Sequence, residues 1–146
     1  MTETRPQNYG NHVRFHPLWH FVAFPIVMLN VFVATRHWWH EQSQFNLWGV
    51  VFAVGVFLAV FAARGEALTV QNRIIRLEMR LRLRELLPAS MHAQILSLTV
   101  GQLVGLRFAG DDELPALVDR CLKGELKSAG DVKKAVKNWQ ADWLRA

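Results

Sequence analysis

Phe45–Ala63 reads FNLWGVVFAVGVFLAVFAA, with eleven Leu, Val or Phe residues and one polar side chain, Asn46, at its edge. No charge occurs between Glu41 and Arg64, a window of 22 residues. A helix that crosses a bilayer needs about 20 apolar residues. At roughly −0.3 to −0.6 kcal/mol for each central Leu, Val or Phe, transfer of this stretch into hydrocarbon is favourable. A second charge-free window, 21 residues between Arg14 and Arg36, precedes it. Its apolar part, Leu18–Thr35, is the weaker span because it carries His20, Pro25 and Asn30. Pro25 removes one backbone hydrogen bond and predicts a kink. The intervening RHWWHEQSQ is long enough for a tight polar turn. Residues 17–63 therefore read as a transmembrane helical hairpin.

Charge is segregated along the 146 residues. The part from Arg64 onward carries 14 of 17 Lys and Arg and 10 of 12 Asp and Glu. A water-soluble fold would mix them. The organisation expected is a cytoplasmic N-terminal segment (1–16), the hairpin (17–63), an amphipathic basic helix (64–88) and a cytoplasmic helical domain (89–146). The fold class is an all-α membrane protein. The first span is too long for a signal peptide's apolar region, and VFVATRH lacks a small-x-small cleavage pattern, so it is expected to be retained.

Basic residues flank the spans unevenly. Arg5 and Arg14 precede the first, and Arg64, Arg73, Arg76 and Arg80 follow the second, whereas the turn holds only Arg36. The positive-inside bias then puts both termini in the cytoplasm. Trp19, Trp38, Trp39 and Trp48 fall near span ends, where indoles favour the lipid–water boundary. Gly55, Ala59 and Ala63 recur every four residues, as do Gly49 and Ala53 on another face. Such spacing permits close helix contact, with span one or with a sister chain. Asn30 is the one amide deep in a span, a candidate for interhelical hydrogen bonding.

Residues 66–87, EALTVQNRIIRLEMRLRLRELL, alternate locally like a strand, yet Leu, Met, Arg and Glu are helix formers and no proline intervenes before Pro88. At 100° per residue this helix has two apolar faces. Val70, Ile74, Leu77 and Leu81 make one; Leu68, Ile75, Met79, Leu83 and Leu86 make the other. Arg73, Arg76, Arg80 and Arg84 run between them on one side, and Gln71, Glu78, Arg82 and Glu85 on the other. A surface helix needs a single apolar stripe. Two imply its own domain on one side and lipid or a neighbouring subunit on the other. The arginine stripe is the candidate site for anionic lipid or for a partner's acidic groups.

Beyond Pro88, Thr99 with Gln102 forms a capping box. Asp111 and Asp112 are positioned to cap a following helix whose core face is Leu114, Leu117, Val118, Cys121 and Leu122. Ser128 and Asp131 mark a last helix, with Val132, Val136, Trp139 and Trp143 on one side. Strand signals are absent. The lone Cys121 excludes an internal disulfide and reads as a small core residue.

No catalytic constellation emerges. His12, His16 and His20, and His37 with His40, have spacings that suit a metal, but Pro17 interrupts the first set and Glu41 is the only carboxylate near the second. No phosphate loop, nucleophile–base pair or metalloprotease signature occurs. No cofactor or metal is expected. Acidic residues dilute the basic tail, and no nucleic-acid recognition motif is present.

QNYGNHVRFHPLWHF (Gln7–Phe21), LTVGQLVGLRFAGDDELPALV (Leu98–Val118) and VKKAVKNWQADWLR (Val132–Arg145) together resemble an uncharacterised family of small bacterial inner-membrane proteins with two spans and a helical cytoplasmic tail. The resemblance implies a bacterial inner-membrane location and carries over no functional residue. The function expected is a non-enzymatic scaffold or adaptor that self-associates and docks an unidentified protein partner. A homo-oligomeric channel is the alternative, and an enzyme acting on lipid a third.

Overall fold

In a computed structural model, residues 7–11 and 16–142 are described. These fall into two compact units, one holding residues 16–69 and the other residues 7–11 and 70–142. Secondary structure in both is helical, apart from one isolated bridge described below.

The first unit is built on two apolar helices. The chain enters through a π-helical stretch, Leu18–Ala23, which leads into α1, Phe24–His40. Pro25 sits in the first turn of α1. The expected disturbance thus takes the form of a widened turn just before the proline, where an α-helical carbonyl would meet the ring. Glu41 leaves the helix in extended conformation. Ser43 then receives the Asn46 amide at 3.1 Å, and the Asn46 side chain donates to the Glu41 carbonyl at 2.9 Å. These bonds satisfy the polar backbone of the turn and start α2, Gln44–Leu86.

On α2, Asn46, Val50, Ala53, Phe57, Val60 and Arg64 are buried or half-buried; on α1, Val27, Val31, Ala34 and Trp38 are. Steps of three and four give a seam of about 3.5 residues per repeat, as in helices that pack side by side. Trp19 and Phe24 meet Phe61 at 5.7 and 5.8 Å between ring centroids, and Arg64 lies 5.6 Å over the Trp19 ring. The outer faces remain open: 6% of the residues in each apolar window are buried.

The second unit has a core of its own. The final third of α2 contributes Ile75, Met79 and Leu83, and Leu87 follows at its end. A 3-10 helix, Ala89–Ser97, follows Pro88 and inserts Ile95; α3 (Val100–Leu106), α4 (Leu114–Leu122) and α5 (Ala129–Ala135) close the rest. The expected capping box forms, with Thr99 and Gln102 exchanging bonds at 3.2 and 2.8 Å, and Ser128 and Asp131, expected as a cap, exchange bonds in the same way at 3.1 and 2.9 Å. The hydrogen bonds from Ser128 hold the Asp131 carboxyl below its ordinary range. Gln102 also reaches the Leu126 carbonyl at 2.7 Å. A Cβ on Gly105 would lie 2.7 Å from Val132 and 3.1 Å from the Ala129 carbonyl oxygen, so α3 and α5 approach where only glycine fits.

Two sequence expectations fail here. Asp111 and Asp112 do not cap α4, whose N-cap is Glu113 with no side-chain hydrogen bond to the helix's own first turn. Asp111 receives Arg82 instead, and Asp112 receives the Asn138 side chain at 3.2 Å. The last helix stops at Ala135, short of Val136 and Trp139. The Glu113 carboxylate takes the amides of Lys137 and Asn138, both at 3.0 Å, and diverts the backbone into extended form. Trp139 then pairs in an antiparallel bridge with Ala109, and its ring packs 5.0 Å from Phe108. Val132 and Val136 are nonetheless buried. Trp143 lies outside the described residues, as do Arg5, His12 and Arg14.

Candidate functional site

The sequence singles out the stretch of α2 that belongs to the second unit, and its two apolar faces meet different fates. Ile75, Met79 and Leu83 are at most 6% exposed and lie in the core. Val70, Ile74, Leu77 and Leu81, nearly opposite, are all more than half exposed.

The arginine stripe divides. Arg73 and Arg84 are exposed, Arg76 and Arg80 half-buried. Arg80 and Arg84 line a groove of about 210 Å³ whose other walls are Leu77, Leu81, His92 and Leu96, with Ile95 at its floor. His92 is fixed there by its Nε2 contact with the Leu87 carbonyl, 2.9 Å. The Arg80 Nε is enclosed and finds no hydrogen-bond acceptor. Arg73 and Arg76 stay outside this groove. Two guanidinium groups beside exposed leucines suit an anionic group carried on an apolar body, whether a head group or a carboxylate on a helix.

Arg82, on the other polar stripe, behaves differently. Its Nε and NH2 donate to Asp111 at 2.8 and 2.6 Å, and NH2 also reaches the Ala109 carbonyl and Gln140 Oε1, each at 2.7 Å. One side chain thereby ties α2 to the Ala109 bridge and to the chain beyond Trp139. Arg107, buried, pairs with Asp142 at 3.2 Å and lies 4.5 Å over Phe108. The Asp142 amide in turn donates to Gln7 at 3.0 Å. Helical periodicity cannot single out Arg82 or Arg107, because their acceptors are remote in sequence.

Gly55, Ala59 and Ala63 are exposed, and a Cβ at Gly55 would have nothing within 4 Å. It is Ala53, 2% exposed, that is enclosed within the hairpin unit. Asn30 is exposed. Cys121 is buried, and desolvation lifts its thiol to about pKa 11, which keeps it neutral. Among the described residues, no three His, Cys, Asp or Glu side chains gather as metal ligands.

A model for a family of unknown function, DUF6526, matches residues 1–146. The chain belongs to this family. No curated protein and no solved structure matches it.

Proposed function

We propose that this DUF6526 protein is a non-enzymatic scaffold of the bacterial inner membrane, anchored by α1 and α2, self-associating, and presenting its helical second unit to the cytoplasm for a protein partner. The observation that carries the reading is the uncovered apolar surface of two span-length helices. A core helix of a soluble protein would be mostly enclosed by its neighbours. The Gln7–Asp142 bond supports an even number of crossings, because it holds residues before the hairpin against residues after it. The excess of Lys and Arg beyond Arg64 favours the cytoplasm for that side.

Length limits the role of lipid. α2 has 43 residues. A crossing takes about 20 residues, so roughly half of α2 is more than one span needs. Arg64 and Arg73 lie within reach of anionic head groups, which contribute about 1 kcal/mol per basic residue near the surface. Arg80 and Arg84 line a groove walled by Leu77, Leu81, His92 and Leu96 of the second unit, so protein is the better partner for them.

The test is fractionation and topology in cells. The protein is expected to stay with membranes through alkaline carbonate washing, and a fluorescent reporter is expected to light up at either end while an exported phosphatase stays silent at both. Release into the wash, or opposite behaviour of the two ends, overturns the reading.

A further inference from the structure

The open face of α2 carries a heptad pattern. Val70, Ile74, Leu77 and Leu81 step by four, three and four, and are 52%, 51%, 61% and 54% exposed. With Ile74 and Leu81 at the a positions, Val70 and Leu77 take the d positions. Arg73 and Arg80 then fall at g, and Glu78 and Glu85 at e. None of these four charged side chains has an ion-pair partner among the described residues. We infer that this face is the seam of a parallel two-stranded coiled coil with a second copy of the chain.

The charge order selects that partner and that direction. In a parallel pair each g residue faces the e residue of the partner's next heptad, and such pairs set partner choice and orientation. Arg73 then meets Glu78 of the second copy, Arg80 meets its Glu85, and symmetry repeats both contacts. In an antiparallel pair g faces g and e faces e, which sets Arg against Arg and Glu against Glu. Lipid does not satisfy this pattern. Hydrocarbon offers nothing to Glu78 or Glu85, which border the apolar residues of this face. The opposite face, Ile75, Met79 and Leu83, is already occupied by the unit's own core, so one seam is left for one partner. Two heptads alone are a marginal coiled coil. The inference rests on the membrane reading for its remaining support: copies inserted with the same topology are parallel and confined to one plane.

The full chain in native membranes provides the test. Ile74→Cys and Leu77→Cys are each expected to give a disulfide-linked dimer within minutes of mild oxidation, whereas Asn72→Cys, exposed and off the seam, gives little. Native Cys121 is buried and stays out of the reaction. Independently, Arg73→Glu with Arg80→Glu, and Glu78→Arg with Glu85→Arg, are each expected to weaken dimerisation roughly tenfold. Co-expression of the two double variants restores pairing, now between unlike chains. If the chain associates but neither the Ile74→Cys nor the Leu77→Cys variant links faster than the Asn72→Cys variant, the seam is covered by lipid or another protein and the inference fails, with self-association intact. A monomer by mass in native lipid overturns both the seam and self-association. Charge reversal without effect overturns the assigned direction.

Discussion

Arg82 ties three separate segments of the second unit together. It gives up hydration for five acceptor contacts on Asp111, Gln140 and the carbonyls of Arg107 and Ala109. Asp111 is largely exposed, so the ion pair itself contributes little. The carbonyls matter more, because removing their donor takes a charge-assisted hydrogen bond from the enclosed Ala109 carbonyl. Arg82→Ala is expected to lower stability by about 2 kcal/mol in thermal or urea unfolding, and Asp111→Asn by less. Cys121 supplies a pH test. Its pKa rises from 9.0 to about 11 through burial, so the folded state holds the proton more tightly. The associated stability is complete below pH 9 and is lost as pH rises toward 11. Reaction of Cys121 with a thiol reagent at about pH 8, below the ordinary thiol pKa, is expected to follow unfolding; rapid modification of the folded protein contradicts its placement.

At the level of elements, α2 offers a paired comparison. Leu83 is fully buried and Leu81 is 54% exposed, two residues apart on one helix. Leu83→Ala is expected to cost about 2–5 kcal/mol of unit stability. Leu81→Ala is expected to leave unfolding within roughly 0.5 kcal/mol and to act on association, read by cross-linking. Gly105→Ala drives a methyl group against Val132 and the Ala129 carbonyl, and about 1–3 kcal/mol of overpacking is expected in a melting experiment. The same helices show what the sequence reveals. The capping boxes are legible because donor and acceptor are three residues apart. The buried face of α2 is legible at Ile75, Met79 and Leu83, where helical period and apolarity coincide, whereas Leu68 and Leu86, expected on the same face, are exposed. The end of α5 is not, since the Glu113 carboxylate that captures Lys137 and Asn138 comes from 24 and 25 residues away. The arginine stripe looks uniform by periodicity, but the 3-10 helix, itself unsignalled, divides it by raising a wall beside Arg80 and Arg84.

At the level of the whole molecule, the two units differ in what stabilises them. The second buries a continuous set of apolar side chains, whereas the first exposes most of its own. Detergent or lipid is therefore expected to be required for the first and not to be what organises the core of the second. Titrating detergent away from purified protein is expected to cause aggregation with helical content retained; a monodisperse solution in plain buffer contradicts the anchoring role. The hydrogen bond between Gln7 and the Asp142 amide spans 135 residues of chain. On a ribosome, Gln7 emerges first and must wait through synthesis of both apolar helices before its side-chain oxygen receives that amide. The second unit therefore closes on a contact that cannot form until both apolar helices and the helices after them have been made.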